Sequence, residues 1–400
     1  MREETCLTRD SLAQNNRYLD WDSQPAMFKH YPHFCYRLKL SDIPSLQWLE
    51  QTRCISDKRL IAQAPYYRLN VPSAGNLHPL EIYVQLRNIS GVLSGIYHLD
   101  VVNSELVMIA EIAQEGIEPF LGLEHRFNGA LLMISMVPFR SSWKYGLRAW
   151  RYLYLDLGHQ IGSFLASVEH FGLTLTKMFP QEGLNRIMGM GKDEIIAAAY
   201  GIGELTSRSV TPLCMPLMRV SPTDYTIIDD TLYDAIVSEP ITSKSVKTAF
   251  TESFLEINAA RRSAREFYAP AMRDEVITTL LNVTASSNLE IVALLLQAQS
   301  MQTGMYRNGK CTVRGNFVTE CVHLLLDQRF IAGANMVLLI YANDFRASTH
   351  VDAGIYAQEL YRACEYHGVG CSGIGAFYDN EASLWSQKLL LYAVAVGGKI

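Results

Sequence analysis

The sequence predicts an α+β fold made of two related halves that pack as an intramolecular pseudo-dimer. The chain has 400 residues, which is more than one compact core usually holds. Short sequence matches recur in the same order in both halves. Short apolar runs typical of buried strands flank two longer runs of helical length. These three observations together predict the fold class.

The recurring matches indicate a tandem duplication. Each half begins with two strand-like matches and continues through an apolar strand, a long helix and a last apolar strand. One match could arise by chance, but the ordered series favours duplication. In the first strands, Leu80-Glu81-Ile82 recurs as Leu289-Glu290-Ile291, and Gly95-Ile96-Tyr97 recurs as Gly304-Met305-Tyr306. In the helices, Asp156, Gly158, Glu169 and Gly172 correspond to Asp352, Gly354, Glu365 and Gly368.

The strands are short and apolar, as expected for a sheet covered on both faces. The two long helices are apolar around much of their circumference, so we predict that they are central and buried. The predicted strand, helix and strand fall at 129–137, 148–171 and 195–203 in the first half, and at 333–342, 352–367 and 391–398 in the second.

The domain boundaries follow from this pattern. We place the first half at residues 1–204 and the second at 251–400. Residues 205–250 are rich in Ser, Thr and Pro without a strong period, which predicts a connecting segment wrapped over the surface. Residues 101–128 exceed the usual length of a connection and predict a lid.

Composition excludes several classes of function. The net charge of −5 argues against a nucleic-acid partner. The apolar runs are too short to span a bilayer, and the polar start of the chain predicts no signal peptide. The eight cysteines form no C-x-x-C pair and no zinc-like spacing, so we expect a cytoplasmic protein without a metal site.

Motifs spread over nearly the whole chain, apart from 205–250, point to one family. Each motif alone is weak, but the set is specific. The motifs are Leu19-Asp20-Trp21, Gln24-Pro25, Phe28-Lys29, Pro72-Ser73-Ala74-Gly75-Asn76, Gly95-Ile96-Tyr97-His98, Trp143-Lys144-Tyr145-Gly146 with Arg148, Gly158-His159, Arg261-Arg262-Ser263-Ala264-Arg265 and Gly373-Ile374-Gly375-Ala376-Phe377. With them the chain resembles the nitroreductase-like FMN-dependent flavoproteins, and among these a tandem-duplicated form of the SagB/ThcOx-type dehydrogenases.

The resemblance implies that one FMN binds between the two halves. In the family, one partner supplies an R-R-S-x-R segment and a G-x-G-A-F-like turn, and the other supplies a P-S-x-x-N segment. Here 261–265 and 373–377 match the first set and 72–76 matches the second, whereas 283–287 and 51–54 lack the corresponding motifs. We therefore expect one competent site per chain. Its predicted cofactor-binding residues are Arg261, Arg262, Ser263, Arg265, Pro72, Ser73, Ala74, Asn76, Gly375, Ala376 and Lys399.

The chemistry of these residues suits FMN. The arginines of 261–265 carry planar, permanently charged groups that match a phosphate. Lys399 follows the last strand, where the family often places a basic phosphate ligand. A backbone N–H at Gly375 or Ala376 could reach the flavin N5 atom and tune it. The alternatives are a solvated basic turn, an ordinary loop before a strand, and a frayed terminal lysine.

Lys144 and Tyr145 are the predicted catalytic pair. Loss of a hydride from a substrate must be matched by loss of a proton, and a lysine with a lowered pKa could accept that proton. A tyrosine could exchange a proton at the same position. The resemblance implies this role, because a Lys-Tyr pair is regarded as catalytic in azoline-oxidising members. The alternative is a surface loop with an amphipathic lysine.

The leading functional hypothesis is an FMN-dependent dehydrogenase of a heterocyclic or peptide-derived substrate, with azoline-to-azole oxidation as the closest analogy. The substrate could be free or bound to a carrier or enzyme. One alternative is an NAD(P)H-dependent nitroreductase or quinone reductase using the same flavin. Another is a non-catalytic subunit of a biosynthetic complex. The two halves could pair within one chain or exchange within a homodimer.

Overall fold

The computed structural model describes residues 1–14, 19–61, 64–169, 171, 173–178, 182–239, 255–268 and 271–399. Residues 240–250 of the predicted connecting segment lie outside the described residues. The helices are α1 Arg9–Gln14, α2 Gln47–Thr52, α3 Pro138–Tyr145, α4 Ala149–Ser167, α5 Glu182–Ile187, α6 Asp230–Val237, α7 Leu255–Ala260, α8 Asp274–Leu281, α9 Val318–Leu324 and α10 Ala347–Tyr366.

Both halves also contain many strands. In the first half they are β1 Arg37–Lys39, β2 Ile55–Ile61, β3 Ala64–Leu69, β4 Leu80–Arg87, β5 Gly95–Asp100, β6 Glu105–Glu111, β7 Glu115–Gly116, β8 His125–Met136, β9 Leu173–Met178, β10 Ile195–Ser209 and β11 Thr211–Pro212. In the second half they are β12 Leu289–Leu295, β13 Gly304–Arg307, β14 Lys310–Arg314, β15 Met336–Ala342, β16 Val369–Ile374 and β17 Leu389–Gly398.

The two main sheets have the same topology. The seven-stranded sheet runs β1-β6-β5-β4-β8-β10-β9, and the six-stranded sheet runs β14-β13-β12-β15-β17-β16. All neighbouring strands in both sheets are antiparallel. Leu80 pairs with Met136 in the first sheet, and the matching Leu289 pairs with Ala342 in the second. Apart from β1, strand order and register therefore repeat between the halves, and the α+β fold prediction is confirmed.

The long helices α4 and α10 lie between the two sheets. Nearly all side chains of α4 are buried. The same holds for α10 from its start to Cys364. This agrees with the prediction that both helices are central. The two helices cross closely. A Cβ on Gly158 would lie 2.7 Å from the Gly354 Cα and overlap the Val351 carbonyl oxygen.

The crossing explains the repeated glycines. A Cβ on Gly354 would in turn lie 2.8 Å from the Gly158 Cα and overlap the Leu155 carbonyl oxygen. Gly158 and Gly354 are equivalent positions of the two repeats, so the same contact is made from both sides. Only glycine allows the two backbones to approach this closely.

The connecting segment is partly ordered against the first half. Strand β10 continues to Ser209, and α6 lies within the segment, so it is more regular than its composition suggested. The buried Lys29 and Arg140 donate to the carbonyl oxygens of Val220 and Pro222, at 3.2 and 2.7 Å. These contacts hold the segment on the surface of the first half, as predicted.

The lid prediction for 101–128 is wrong. The range contains β6, which pairs with β5 of the first half, β7, which pairs with β11 of the connecting segment, and the start of β8, which pairs with β10. Its length reflects an additional strand and not a loop over the site. Among the described residues, no helix has the length and apolar character needed to cross a membrane. No cluster of metal-ligating side chains lies among them either.

The close helix crossing predicts the effect of one methyl group. Gly158→Ala should lower the free energy of unfolding by about 1–3 kcal/mol or more, because the new Cβ meets backbone atoms that cannot rotate away. Gly183→Ala is the matched control, since the nearest atom to its Cβ would be 3.7 Å away. Urea unfolding followed by circular dichroism measures both. Equal stability of the two variants would contradict the proposed crossing constraint.

Candidate active site

The predicted site segments converge on one cleft between the two halves, here called the central cleft. It has a wide end and an arginine end, which share Pro72, Ser73, Ser263 and Arg265. The wide end has a cavity volume of about 140 Å³ and is open to solvent. Its other lining residues are Ala74, Gly75, Tyr152, Leu155, Asp156, Tyr361, Ser372, Gly373, Gly375 and Tyr392.

Helix α3 places Lys144 and Tyr145 beside Gly75, which lines the wide end, although neither of the two side chains is itself part of that lining. The helix starts with Pro138, which suits a first helical position, and it stops at Gly146 with φ of +54°. A Cβ on Gly75 would lie 2.5 Å from the Tyr145 hydroxyl and 3.3 Å from Lys144 Nζ. The two side-chain ends therefore lie directly on the turn that contains Gly75. The pair was predicted in a loop, but it occupies the last turn of a helix.

The Lys144 ammonium is in an unusual electrostatic position. Its Nζ lies 5.6 Å from the centre of the Trp21 ring and 5.4 Å from that of Tyr145, and it has no carboxylate partner among the described residues. Partial burial, and then the positive charge of Arg265, lower the pKa of Lys144. Burial raises the pKa of Tyr145. Lys144 is thus the better proton acceptor, and Tyr145 stays a neutral phenol.

The Pro72–Asn76 turn is tied to the central helix of its own half. Ser73 Oγ donates to Asp156 Oδ2 at 2.6 Å, and the Ala74 N–H donates to Oδ1 at 3.2 Å. Gly75 has φ of +64°, a conformation that favours glycine at the apex of the turn. Burial raises the pKa of Asp156 to about 7, although the bonds from Ser73 and Ala74 oppose the shift.

The arginine end collects positive charge. Four arginines line it, namely Arg68, Arg261, Arg262 and Arg265. Arg68 has one distant ion pair, 3.9 Å from Asp57. Arg265 is exposed and has neither a hydrogen bond nor an ion pair with any described residue. This end therefore has the positive charge that a phosphate group requires.

Arg261 lines the arginine end and also makes contacts that the sequence did not predict. It is buried, donating through Nη2 to the Leu69 carbonyl oxygen at 2.8 Å and through Nε to that of Asn70. Its Nη1 donates to Ser263 at 3.2 Å. Since these atoms are already engaged, Arg261 joins the two halves next to the cleft. Phosphate binding by the remaining N–H donors of Arg261 stays a prediction.

The second half supplies the opposite wall. Gly373 donates its N–H to the Tyr361 hydroxyl at 2.7 Å, and that hydroxyl also hydrogen-bonds Ser263 at 2.9 Å. The Gly375 carbonyl oxygen accepts from Arg148 at 2.9 Å and from Tyr152 at 3.3 Å. These bonds from both halves fix the peptide groups of the 373–375 turn at the cleft.

Three predicted ligands do not line the cleft as expected. Lys399 pairs with Glu365 at 2.8 Å and lines neither end. Ala376 is also absent from the lining, although Gly375 is present. Asn76 lies at the arginine end, where its amide donates to the Tyr67 carbonyl oxygen at 2.8 Å. That amide supports the turn and does not face a flavin ring.

Sequence reasoning missed several lining residues. In the sequence, Asp156 stands out only as a match between the two repeats. Its position in the helix gives no sign that it contacts Ala74, which precedes it by 82 residues. Arg68 lies in the β2–β3 hairpin, which has no counterpart motif. Tyr152, Tyr361 and Tyr392 come from predicted core elements. A buried polar residue on an otherwise apolar helix is the one signal that could have indicated Asp156.

The donor set fits FMN. The arginine end suits the phosphate, with Arg262, Arg265 and Arg68 available. The small residues at 373–375 and the turn at 72–75 suit the close approach of a flat ring at the wide end. Hydroxyls of Ser73 and Ser263 lie between the two ends, where a polyol chain would pass.

The equivalent turn of the second half lines a separate cavity. Residues 283–287 form one side of it, and its two cations, Arg307 and Lys388, both pair with Glu290. The lysine–glutamate distance is 3.2 Å. Among the described residues, this cavity has no counterpart of Arg265, the arginine of the central cleft without a protein partner. The described residues thus support the expectation of one competent site.

Comparison with known proteins agrees with the architecture. Over its whole length the chain resembles the crystal structure of a candidate nitroreductase from Anabaena variabilis, with a TM-score of 0.78, 20% identity and coverage of 100% of this chain and 98% of the other. The fold is the nitroreductase fold. At this identity the likeness concerns the fold alone.

Sequence comparison places the family signal in the second half. Residues 259–391 match the nitroreductase family. A candidate nitroreductase of Methanocaldococcus jannaschii is 36% identical over 93 residues, which cover 22% of this chain and 46% of that relative. The chain thus spans about half the length of the curated relative it matches. One chain of the E. coli microcin synthetase complex aligns over 52% of this chain, with 14% identity and a TM-score of 0.33, which is too low to support a conclusion.

Asp156 predicts a pH-dependent difference in stability. Its pKa of about 7 in the folded state exceeds the usual 3.8, so the folded protein holds more protons between these values. Wild-type stability should therefore fall relative to Asp156→Asn as pH rises from about 4 to 7, by about 1.4 kcal/mol per pH unit at most, and then level off. Denaturant unfolding of both proteins at pH 5, 6, 7 and 8 measures it. A constant difference would show that the carboxyl titrates normally.

Proposed function

We propose that the protein is an FMN-dependent oxidoreductase that removes a hydride and a proton from a heterocyclic or peptide-derived substrate, with an azoline as the proposed substrate class. The observation that carries the proposal is the position of Lys144 and Tyr145 on the Gly75 turn, at the wide end of a cleft with four arginines at its other end. The nitroreductase family match supports an enzyme of this class.

Bound FMN would supply the hydride acceptor. The remaining chemistry belongs to the chain. Arg262 and Arg265 would neutralise the phosphate, with Arg68 beside them. The 72–75 and 373–375 turns would enclose the ring from the two halves.

Lys144 would act as the general base. Its lowered pKa increases the fraction of neutral amine near pH 7, and its position over the cleft allows it to take a proton from a substrate carbon. Tyr145, as a neutral phenol, would donate a hydrogen bond to a substrate heteroatom. The aromatic rings of Trp21 and Tyr145 would keep the Lys144 amine in place.

The cellular compartment and the oligomeric state are also proposed. The eight cysteines are all free, which suits a reducing cytoplasm. The pairing of the two halves through α4 and α10 supports a monomeric pseudo-dimer, because both walls of the cleft come from one chain.

Lys144→Met should abolish turnover and retain the flavin. The change removes the base but preserves the apolar stem, so kcat should fall by about 10²–10⁴ while FMN binding stays within a few fold. Oxidation of a thiazoline or oxazoline model compound, followed by absorbance, measures kcat. Lys310→Met is the control, because Lys310 is an exposed residue of β14 outside the cleft. Normal turnover by Lys144→Met would exclude Lys144 as the base.

Arg265→Ala should weaken FMN binding. The arginine has no partner in the part of the chain that the structure describes, so its removal should cost little in folding but takes away a charge that a phosphate would meet. We expect the Kd for FMN to rise on the order of tenfold or more, and to rise less at high salt, where charge interactions are screened. Quenching of flavin fluorescence measures Kd. Arg314→Ala, at an exposed position of β14, should bind like wild type. Unchanged affinity in Arg265→Ala would argue against the phosphate assignment.

A further inference from the structure

The buried carboxylate of Asp156 is the fixed point of the turn that supports the proposed catalytic pair. Ser73 Oγ and the Ala74 N–H both donate to it, and Ser73 Oγ in turn accepts the His78 N–H at 3.0 Å. The Asn76 N–H closes the turn on the Ser73 carbonyl oxygen at 3.0 Å. The turn is thus attached to α4 through one side chain.

We propose that Asp156 is a positioning residue of the active site, whose negative carboxylate holds the Ser73–Asn76 turn where Gly75 contacts Lys144 and Tyr145. Loss of that negative charge by protonation would release the turn and reduce turnover. The inference rests on the proposed function, because the geometry it maintains is that of the proposed catalytic pair.

The negative charge of Asp156 matters because it decides whether each carboxylate oxygen accepts or donates a hydrogen bond. An ionised carboxylate only accepts hydrogen bonds, which matches the two donors of the turn, and the 2.6 Å bond from Ser73 has the short length of a charge-assisted bond. A protonated carboxyl turns one oxygen into a donor. Ser73 Oγ would then accept from both Asp156 and His78, so a weaker neutral hydrogen bond would replace the charge-assisted bond that holds the turn.

The surroundings of Asp156 set the protonation of its carboxylate near neutral pH. Burial raises the pKa of Asp156 to about 7. The charged group that faces it is Arg53, which is buried and hydrogen-bonded to Gln160 and to the Leu80 carbonyl oxygen. The other titratable groups facing it are the phenols of Tyr145 on α3 and Tyr392 on β17, whose pKa values are raised. Asp156 is therefore the group of this cluster that changes charge in the neutral range.

The duplication provides a matched residue. Asp352 occupies the same position on α10, is also buried, and accepts from Ser286 at 3.2 Å and from Asn288 at 3.4 Å. It lines neither end of the central cleft. A substitution there repeats the chemical change on an equivalent helix and loop, but away from the proposed catalytic pair.

The test compares Asp156→Asn with Asp352→Asn in the full chain. Hydrogen–deuterium exchange on protein without added flavin reports on the turn directly, after correction for the intrinsic pH dependence of exchange. In wild type, protection of the 73–76 amides should rise between pH 6 and pH 8. In Asp156→Asn it should be lower on the order of tenfold at pH 8 and independent of pH. Asp352→Asn should retain the wild-type behaviour at 73–76.

Turnover provides the second measurement. The kcat of wild type and Asp352→Asn should rise with pH in two steps, one from deprotonation of Lys144 and one with an apparent pKa near 7 from Asp156, whereas Asp156→Asn should have a lower kcat and lack the step near 7. Ser73→Ala removes the donor and leaves the carboxylate, so it should reproduce the loss of protection even if Asp156→Asn folds poorly. Protection and pH profile in Asp156→Asn equal to those of Asp352→Asn would overturn the proposal. If Lys144→Met also keeps full turnover, the proposed function fails, but the exchange result still decides the role of Asp156.

Discussion

The contact between Gly158 and Gly354 is the constraint on which the rest of the structure depends. It lets α4 and α10 approach until backbone meets backbone, at the same position of each repeat. Because the helices are this close, the two sheets can lie on either side of a shared core. The crossing in turn sets the positions of the residues that line the central cleft. Residues such as Leu155 and Asp156 lie within one turn of it.

The duplicated architecture explains why one cleft carries the chemistry. A symmetric pair of halves would form two equivalent sites, but only one combination joins the turn at 72–76 to the arginine segment at 261–265. At the other place, the cations of the second cavity are neutralised by Glu290. One half can thus specialise in the Lys144–Tyr145 pair, and the other in the wall around Gly373 and Gly375.

The sequence predicted the elements with strong patterns. The repeated matches led to the order of strands and helix along each half and to the central helices, because apolar periodicity and glycines at equal spacing reflect local physics. Motif matching brought 72–76 and 261–265 to the same cleft. The exact task of each residue was not predictable in the same way. Arg261 was expected at a phosphate, yet it binds the carbonyl oxygens of Leu69 and Asn70.

The contacts that the sequence did not predict share a physical cause. Arg261, Asn76 and Lys399 all make contacts with residues distant in the sequence or in another element, and a single sequence contains no signal for such pairing. The lid prediction for 101–128 failed because a short additional strand resembles a long loop in composition. Asp156 was missed for the same reason as Arg261. Its partners belong to the 73–76 turn, and strands β4 to β8 separate that turn from α4 in the chain.

The central claim is that one chain builds one flavin site from both of its halves. The most direct measurement is the number of FMN molecules bound per 45.0 kDa chain, determined by native mass spectrometry together with flavin absorbance after heat release. The account predicts one FMN per chain, bound by the monomer. Two flavins per chain, or a colourless protein that takes up no added FMN, would contradict it.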